Sequence, residues 1–329
     1  GETCLVSCSP AGNVCTWGAG KLGSLHTGAD AASMAVTSAT GLAAVGSTTG
    51  VIRLVDVGNF AAPQTIFRSK IHQGSATHVA FSPDGSLLAS AGEDNRVFFT
   101  DANGSRGFAS IGYIPTDAAV TSIVWREGTA DDGDDSDGLR LIICTANGVL
   151  LQVTPPDMDY APSADLKMSD KEVDKRAWRL REPLVQMAIS PAATGFLYGF
   201  TAKGPGAKYT RRFDMRATSL TPMGEKPQLL KVEPLSDIGH AKGGSCLAFS
   251  GDGNVLVSGG KDGAIVVRSM DTATGEGAVK AVLRRHDGAG VHSDGVTCVA
   301  MGGKGFVYSG GFDGALFELA VDGACLPSA

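Results

Sequence analysis

Residues 71–102 read IHQGSATHVAFSPDGSLLASAGEDNRVFFTDA, and the same pattern returns as GHAKGGSCLAFSGDGNVLVSGGKDGAIVVRSMD at residues 239–271 and as VHSDGVTCVAMGGKGFVYSGGFDGALFELAVD at residues 291–322. In each stretch a His opens the unit, a run of β-forming residues ends in Ser, and an Asp precedes a tight turn. The His and the Asp are 22, 22 and 21 residues apart in the pairs His72–Asp94, His240–Asp262 and His292–Asp313. Self-similarity at such regular spacing predicts a repeat architecture.

Weaker copies of the pattern fill the rest of the chain and bring the number of units to seven. They begin near Cys4, Ser33, Ala119 and Leu184. Apolar and polar residues alternate over short runs that are separated by Asp-Gly, Asn-Gly or Thr-Gly turns, which indicates antiparallel hairpins. A small four-stranded sheet cannot bury both of its faces alone, so neighbouring sheets must stack. The sequence therefore predicts an all-β fold, a seven-bladed β-propeller with four-stranded antiparallel blades.

The predicted blades divide the whole chain as one domain. Their approximate bounds are residues 1–29, 30–65, 66–115, 116–168, 169–232, 233–283 and 284–329. The first unit starts at its second strand, because Ser7 and Trp17 stand at second- and third-strand positions of the pattern. We therefore expect its inner strand to come from residues upstream of Gly1 or to be missing.

These units resemble WD repeats. In that family the opening His, the strand Ser and the turn Asp form hydrogen bonds with a Trp on the next strand, and the resemblance implies the same network here. The matching residues are His72, Ser90 and Asp94, then His240, Ser258 and Asp262, then His292, Ser309 and Asp313. The Trp position holds Thr100, Arg268 and Leu319 in those units, and only Trp17 keeps it, in a unit that lacks the Asp.

Composition and charge exclude several classes of function. A net charge of −6 and a pI near 5.5 argue against a surface that follows nucleic-acid phosphates. The sequence shows neither an apolar stretch long enough to cross a bilayer nor a secretion signal. Seven cysteines without any CxxC pair favour free, buried thiols in a reducing intracellular compartment over a metal site or a disulfide framework. We expect no cofactor.

Two insertions interrupt the repeats. Residues 131–137 contain five carboxylates, and such a run repels itself and should form a loop. Residues 169–182 combine a capping-box pattern at Ser169 and Glu172 with apolar residues at helical spacing, which predicts a short helix. This segment is rich in basic residues, so we interpret it as a candidate partner-binding patch composed of Lys171, Lys175, Arg176, Trp178, Arg179 and Arg181.

Two motifs invite catalytic interpretations. Ser, His and Asp together suggest a hydrolase, but three copies at equal spacing fit a structural bond network better. Gly18, Gly20 and Gly23 spell GxGxxG, yet a strand pattern follows them where a dinucleotide site needs a helix. We therefore assign no catalytic residue and no metal ligand, and predict that the protein is not an enzyme.

The end of the chain resembles propeller ends of the large cilia- and flagella-associated WD-repeat proteins. The segment from Arg285 to Asp322 carries their HD pair, a second His, VT and a closing GxDG followed by apolar residues. That family implies a structural scaffold in the ciliary axoneme, in a cytoskeletal location, with axonemal tether, dynein or microtubule-associated proteins as partners. The alternative is a peptide-binding adaptor or substrate-recognition propeller of a cytosolic complex, and a propeller enzyme is the third possibility.

Overall fold

A computed structural model of the chain describes residues 4–18, 20–127, 138–157, 166–169, 175–201, 205–218, 220–222, 225–235, 239–284, 290–302 and 305–321. These residues divide into two compact units. The first unit comprises Gly1–Glu127 and Asp137–Arg176, and the second comprises Gly128–Ser136 and Ala177–Ala329. Apart from a 3-10 turn at Pro205–Lys208, the regular elements of the described residues are strands.

The first unit contains four sheets. In chain order their strands are β1 (Leu5–Cys8), β2 (Asn13–Trp17) and β3 (Lys21–His26); β4 (Ala31–Thr37), β5 (Leu42–Ser47), β6 (Val51–Asp56) and β7 (Gln64–Lys70); β8 (His78–Phe81), β9 (Leu87–Ala91), β10 (Arg96–Asp101) and β11 (Ser110–Pro115); and β12 (Val120–Glu127), β13 (Leu139–Thr145), β14 (Val149–Val153) and β15 (Lys175–Arg179). Strand β15 runs into the second unit at Ala177.

The second unit contains the three remaining sheets and some short strands. The fifth sheet is formed by β16 (Leu184–Ser190), β17 (Ala193–Thr201), β18 (Arg211–Asp214) and β21 (Val232–Pro234), while β19 (Thr221–Pro222) and β20 (Gln228–Leu229) extend the fourth sheet from β15. The sixth sheet is β22 (Gly244–Phe249), β23 (Val255–Gly260), β24 (Ile265–Met270) and β25 (Gly277–Leu283), and the seventh is β26 (Val296–Met301), β27 (Phe306–Gly311) and β28 (Leu316–Ala320).

The seven sheets confirm the predicted fold class, a seven-bladed β-propeller with antiparallel blades. Each core lies between neighbouring sheets of one unit, because strands alternate side chains between the two faces. In the second unit, Val257, Val267, Val296 and Leu319 are buried together between the sixth and seventh sheets. Each such side chain stabilises the fold by about 1.5–3 kcal/mol relative to exposure. The second and third sheets are packed in the same way around Leu54 and Leu88.

The first sheet is linked across two of its strands by a side-chain hydrogen bond. It has three strands in the described residues, in the order β1–β2–β3. Trp17 on β2 donates its indole N–H to the hydroxyl of Ser7 on β1 at 2.7 Å. This is the bond expected between the third and second strands of a repeat, so β1 occupies the second-strand position.

The segment around residue 175 differs from its prediction. A helix over residues 169–182 is wrong at Lys175–Arg179, which form strand β15. Tertiary contacts override the helical spacing here: Trp178 is buried, donates its indole N–H to the carbonyl of Thr218 at 2.8 Å, and pairs with Gln228 in parallel register. The fourth sheet thus extends past the predicted boundary at residue 168. The second sheet likewise extends to Lys70 rather than to residue 65, and the acidic residues 131–137 lie outside the described part.

Candidate functional site

The His, Ser and Asp of the three clearest repeats form one recurring bond network. In each, Nε2 of the His lies within hydrogen-bond distance of the Ser hydroxyl, and Nδ1 lies within reach of the Asp carboxylate. The two distances are 2.9 and 3.0 Å for His72 with Ser90 and Asp94, 3.0 and 3.3 Å for His240 with Ser258 and Asp262, and 2.9 and 2.8 Å for His292 with Ser309 and Asp313. The three imidazole side chains have no exposed surface.

The Asp of each network also holds the backbone. Its second carboxylate oxygen accepts the N–H of the residue that follows the His, at 3.0 Å from Gln73, 2.8 Å from Ala241 and 3.0 Å from Ser293. Its first oxygen accepts an N–H of the turn that the Asp begins, as Asp262 does from Ala264 at 3.3 Å. One carboxylate therefore fastens the loop before the first strand to the turn between the second and third strands. The network fixes the loops at this end of the sheet.

The pKa shifts favour an ionised Asp262 in the sixth sheet and a neutral His72 in the third sheet. Burial would raise the pKa of Asp262, but hydrogen bonds from His240 and from the backbone N–H of Ala241, together with the other contacts, lower it to about 2. The pKa of His72 is lowered by burial, against the opposing effect of Asp94. Because a carboxylate can only accept, Nδ1 of a neutral His carries the proton and Nε2 accepts the Ser hydroxyl.

This connectivity is also that of a serine hydrolase triad, in which the nucleophile is bonded to the base and the base to an orienting carboxylate. The burial of the Ser hydroxyl decides between a catalytic triad and a structural bond network. The side chains of Ser90 and Ser258 are fully buried and that of Ser309 is 1% exposed, so no substrate carbonyl can approach the hydroxyls. In these three places the Ser, His and Asp satisfy one another's buried polar groups.

The position that holds Trp in WD repeats is filled in different ways. Arg268 lies fully buried on β24 and donates from Nη1 to the hydroxyl of Ser258 at 3.0 Å. Burial lowers the pKa of its guanidinium to about 10. Thr100 and Leu319 are buried at the corresponding places. An aromatic ring packs against the His of each network: between ring centroids, Phe98 lies 5.0 Å from His72, Phe200 lies 5.8 Å from His240 and Phe317 lies 4.9 Å from His292.

A second recurring bond identifies residues that the sequence reading missed. In five sheets, the backbone N–H of one turn residue donates to a carbonyl of the loop before the first strand. The donors are Thr48, Glu93, Ala146, Lys261 and Phe312, and the acceptors are Asp30, Ser75, Ala119, Gly243 and Gly295, at 3.0, 3.0, 2.8, 2.9 and 3.2 Å. We call these five donors the display positions. All five are exposed, although their backbone is held in place.

The sequence carries a signal for the display positions. In the three clear repeats they stand immediately before the network Asp, as Glu93, Lys261 and Phe312 do. An alignment of the repeats on that Asp shows one acid, one base and one aromatic ring at a single column. A position that differs between the repeats, while the adjacent positions stay the same, is not fixed by the fold and can serve recognition.

The candidate basic patch is distributed between the interior and the surface. Lys175 is 7% exposed and Trp178 is 1% exposed, because both lie on β15. Arg176 is half-buried, and Arg179 and Arg181 are exposed. Lys171 lies outside the described residues. Of the six predicted members, the two exposed arginines are the ones a partner can reach.

The described part of the chain contains neither a metal-binding cluster nor a membrane-spanning helix. No group of three or more His, Cys, Asp and Glu side chains is arranged to hold a metal ion there. No helix among those residues has the length and apolar character that crossing a membrane requires. A groove of about 450 Å³ does lie in the second unit, lined by residues of the sixth and seventh sheets that include Val255, Lys280, Met301 and Phe306.

Comparison with known proteins agrees with this architecture. The WD domain, G-beta repeat family matches residues 64–101 and 233–269, which contain the networks of His72 and His240. Cilia- and flagella-associated protein 43 of Chlamydomonas reinhardtii is 27% identical over 338 aligned positions, covering 88% of this chain and 19% of that protein. The protein of the same name from Xenopus laevis is 33% identical over 94 positions, covering 29% of this chain and 6% of its own length. The chain thus spans about a fifth of the length of the Chlamydomonas protein.

Proposed function

We propose that this chain, a seven-bladed β-propeller that carries WD40 repeats, is a non-catalytic scaffold that binds other proteins in the ciliary axoneme. The display positions support the scaffold role. Their side chains are exposed, while buried His–Ser–Asp networks and loop hydrogen bonds hold their backbone in three of the sheets. A fixed backbone with varied exposed side chains suits recognition, because little conformational entropy is lost when a partner binds.

The ciliary part of the proposal rests on similarity. A relative called cilia- and flagella-associated matches 88% of the chain, and the match extends well beyond the WD40 repeats themselves. At 27% identity the likeness is one of fold and general role. We propose a tethering function within a large axonemal assembly, with tether, dynein or microtubule-associated proteins as partners and a cytoskeletal location in the cilium or flagellum.

The exposed arginines Arg179 and Arg181 remain candidates for partner binding. They lie at the end of β15 and in the connection that leads to β16. A partner bound there would contact a part of the second unit that the pairing of β15 with β20 holds in place. Charge alone is a weak signal, since exposed ion pairs contribute only about 0–1 kcal/mol each.

A peptide-binding adaptor of a cytosolic complex is the second candidate function. The groove of about 450 Å³ in the second unit favours it, because it combines the apolar side chains of Met301 and Phe306 with the cation of Lys280 and the carboxylate of Asp252. Such a site could take one apolar side chain and a neighbouring carboxylate of a peptide. The two functions differ in where the protein resides and in how many partners it holds.

The location of the native protein tests this proposal. The full-length protein, tagged at its own locus in a ciliated cell, should remain with the axoneme after detergent removes the ciliary membrane. Immunoprecipitation from those axonemes should recover other axonemal proteins. A protein that stays in the cell body and is recovered with a cytosolic complex would replace the axonemal function with the adaptor function.

A further inference from the structure

We propose that an acidic peptide segment with one large apolar side chain docks on a surface of the second unit formed by Phe312, Lys261, Lys242 and Arg284. We call these four residues the Phe312 surface. The inference rests on the proposed function of protein binding, and it specifies the partner's chemistry and the loops that recognise it.

The centre of the surface is a solvent-exposed aromatic ring. Phe312 is 75% exposed, the highest value among the large apolar side chains of the described residues. It stands at a display position, and its N–H donates to the carbonyl of Gly295 at 3.2 Å. The next residue, Asp313, is held by His292 at 2.8 Å. An exposed ring on so fixed a backbone is suited to anchor a partner, because aromatic residues dominate binding energy at interfaces.

Lys261 flanks the same point from the neighbouring sheet. Gly295 has φ near +93°, and a methyl group on its Cα would lie 3.0 Å from the Cα of Lys261. The backbones of Phe312, from the seventh sheet, and of Lys261, from the sixth, therefore both lie next to Gly295. The absence of a side chain at Gly295 allows this close approach. Lys261 in turn donates its N–H to the carbonyl of Gly243, the residue that follows Lys242 in the chain.

The charges around Phe312 favour an acidic partner. Lys242 and Lys261 are exposed, and their ammonium groups form no ion pair with another part of the described chain. Arg284 is exposed and lies 4.0 Å from the carboxylate of Asp262. Asp294 is the exposed acid at this place. The carboxylates of Asp262 and Asp313 are turned to His240 and His292 and are bonded there. The side chain of Asp313 is 16% exposed, so the exposed charges without an ion pair at this place are two lysines, Lys242 and Lys261, against one acid, Asp294.

A protein segment fits this surface better than a nucleic acid does. The chain carries a net charge of −6, so the positive charge is local and does not form a long track for phosphates. The apolar ring adds selectivity for a side chain of the partner. A short acidic segment bearing Phe or Leu would satisfy both features, since its carboxylates can pair with the lysines while its apolar side chain covers Phe312.

Fluorescence anisotropy with defined peptides tests the proposal. The probe is a fluorescein-labelled peptide of glutamates with one central phenylalanine, titrated with the intact chain, and the comparison probes replace the phenylalanine by serine or the glutamates by lysines. We expect binding of the first probe only, with Phe312→Ser weakening it about tenfold. Lys261→Glu should weaken it and also reduce its salt dependence. Lys261→Ala provides a second variant with a smaller change in charge.

Matched controls separate this surface from others. Leu229→Ser changes another exposed apolar side chain of the second unit, and Lys226→Glu changes an exposed lysine that belongs to neither the Phe312 surface nor the groove. Neither should alter the affinity. The proposal would be overturned if these control variants lost as much affinity for the acidic peptide as Phe312→Ser does. It would also be overturned if a fluorescein-labelled oligouridine RNA bound more tightly than the acidic peptide. Circular dichroism and urea midpoints equal to those of the unchanged chain verify that the variants are folded.

The outcome for this surface is distinguishable from that for the scaffold role. If axonemal proteins are recovered equally with the unchanged protein and with the Phe312→Ser, Lys261→Glu double variant, the Phe312 surface is wrong and the scaffold function stands. If no axonemal protein is recovered with either form while the acidic peptide still binds, the surface stands and the axonemal function is wrong.

Discussion

Nδ1 of His292 lies 2.8 Å from the carboxylate of Asp313, across 21 residues of chain. The pair joins the loop that precedes the seventh sheet to the turn in which Phe312 is displayed. The same joint recurs at His72 and Asp94 and at His240 and Asp262. These buried bonds contribute to stability, and they also determine which side chains the loops present to a partner.

The first prediction concerns the carboxylate of the sixth sheet. Asp262→Ala leaves the Nδ1–H of His240 and the N–H of Ala241 without their acceptor, so the free energy of unfolding should fall by about 1–3 kcal/mol. Urea denaturation followed by tryptophan fluorescence measures the change. Asp294→Ala, which removes an exposed carboxylate of the same unit, should change stability by less than about 0.5 kcal/mol. Equal effects of the two substitutions would contradict the structural role of the network.

The second prediction compares two glycines that have the same backbone conformation. Gly263 and Gly314 both have φ near +73° and both follow a network Asp. A methyl group on Gly263 would collide with the carbonyl oxygen of His292, whereas one on Gly314 meets no other described atom within 4 Å. Both alanine variants bear the left-handed strain of about 1–2 kcal/mol. Only Gly263→Ala should lose a further ~1–3 kcal/mol through the clash, as measured by urea unfolding. Equal losses would mean that the two turns have the same surroundings.

The third prediction is a dependence of stability on pH. Burial lowers the pKa of His72 below 6.5 in the folded protein, against the effect of Asp94 and with a small added effect of Arg96. As the pH falls below 6.5, the unfolded chain takes up a proton that the folded chain does not, so stability decreases until the pH reaches the folded pKa. Urea midpoints between pH 7.5 and pH 5 measure this slope.

His72→Gln should make that slope smaller without removing it, because the pKa of His78 is also lowered by burial. The exposed His26 provides a matched control, since His26→Gln should leave the slope unchanged. A slope that His26→Gln changes as much as His72→Gln would contradict the assignment to the buried imidazole.

The fourth prediction concerns the Trp17–Ser7 hydrogen bond of the first sheet. Trp17→Phe and Ser7→Ala each remove one partner of the 2.7 Å bond. The double variant should be more stable than the sum of the single losses predicts, with a coupling of about 0.5–1.5 kcal/mol. A double-mutant cycle from urea unfolding yields this value. A coupling near zero would show that the pair does not bond in solution.

Much of the fold could be predicted from the sequence, because its signals are local. Turn dipeptides, alternating apolar residues and the spacing of His72, Ser90 and Asp94 lie within one unit, and each unit folds as one small sheet. In the degenerate first unit, Trp17 and Ser7 are only ten residues apart and are hydrogen-bonded. The repeated pattern also predicted which side chains would come together in the buried networks.

Features that depend on distant contacts were missed. Helical spacing around Ala177 predicted a helix, but pairing of Trp178 with Gln228, fifty positions further along the chain, keeps the segment as strand β15. Single-sequence patterns contain no information on such pairing. The display positions were missed for another reason. The column before the network Asp shows that these residues vary between repeats, but the hydrogen bond that holds their backbone, as between Phe312 and Gly295, is seen only in the folded chain.

Cross-linking mass spectrometry of native axonemes tests most directly the claim that this propeller is a protein-binding scaffold of the cilium. If the propeller has this role, the exposed lysines of the second unit, Lys242 and Lys261 among them, form cross-links to other axonemal proteins. Phe312→Ser should then reduce the number of cross-links at Lys261. Cross-links confined to the chain itself, in axonemes where other components are linked to one another, would contradict it.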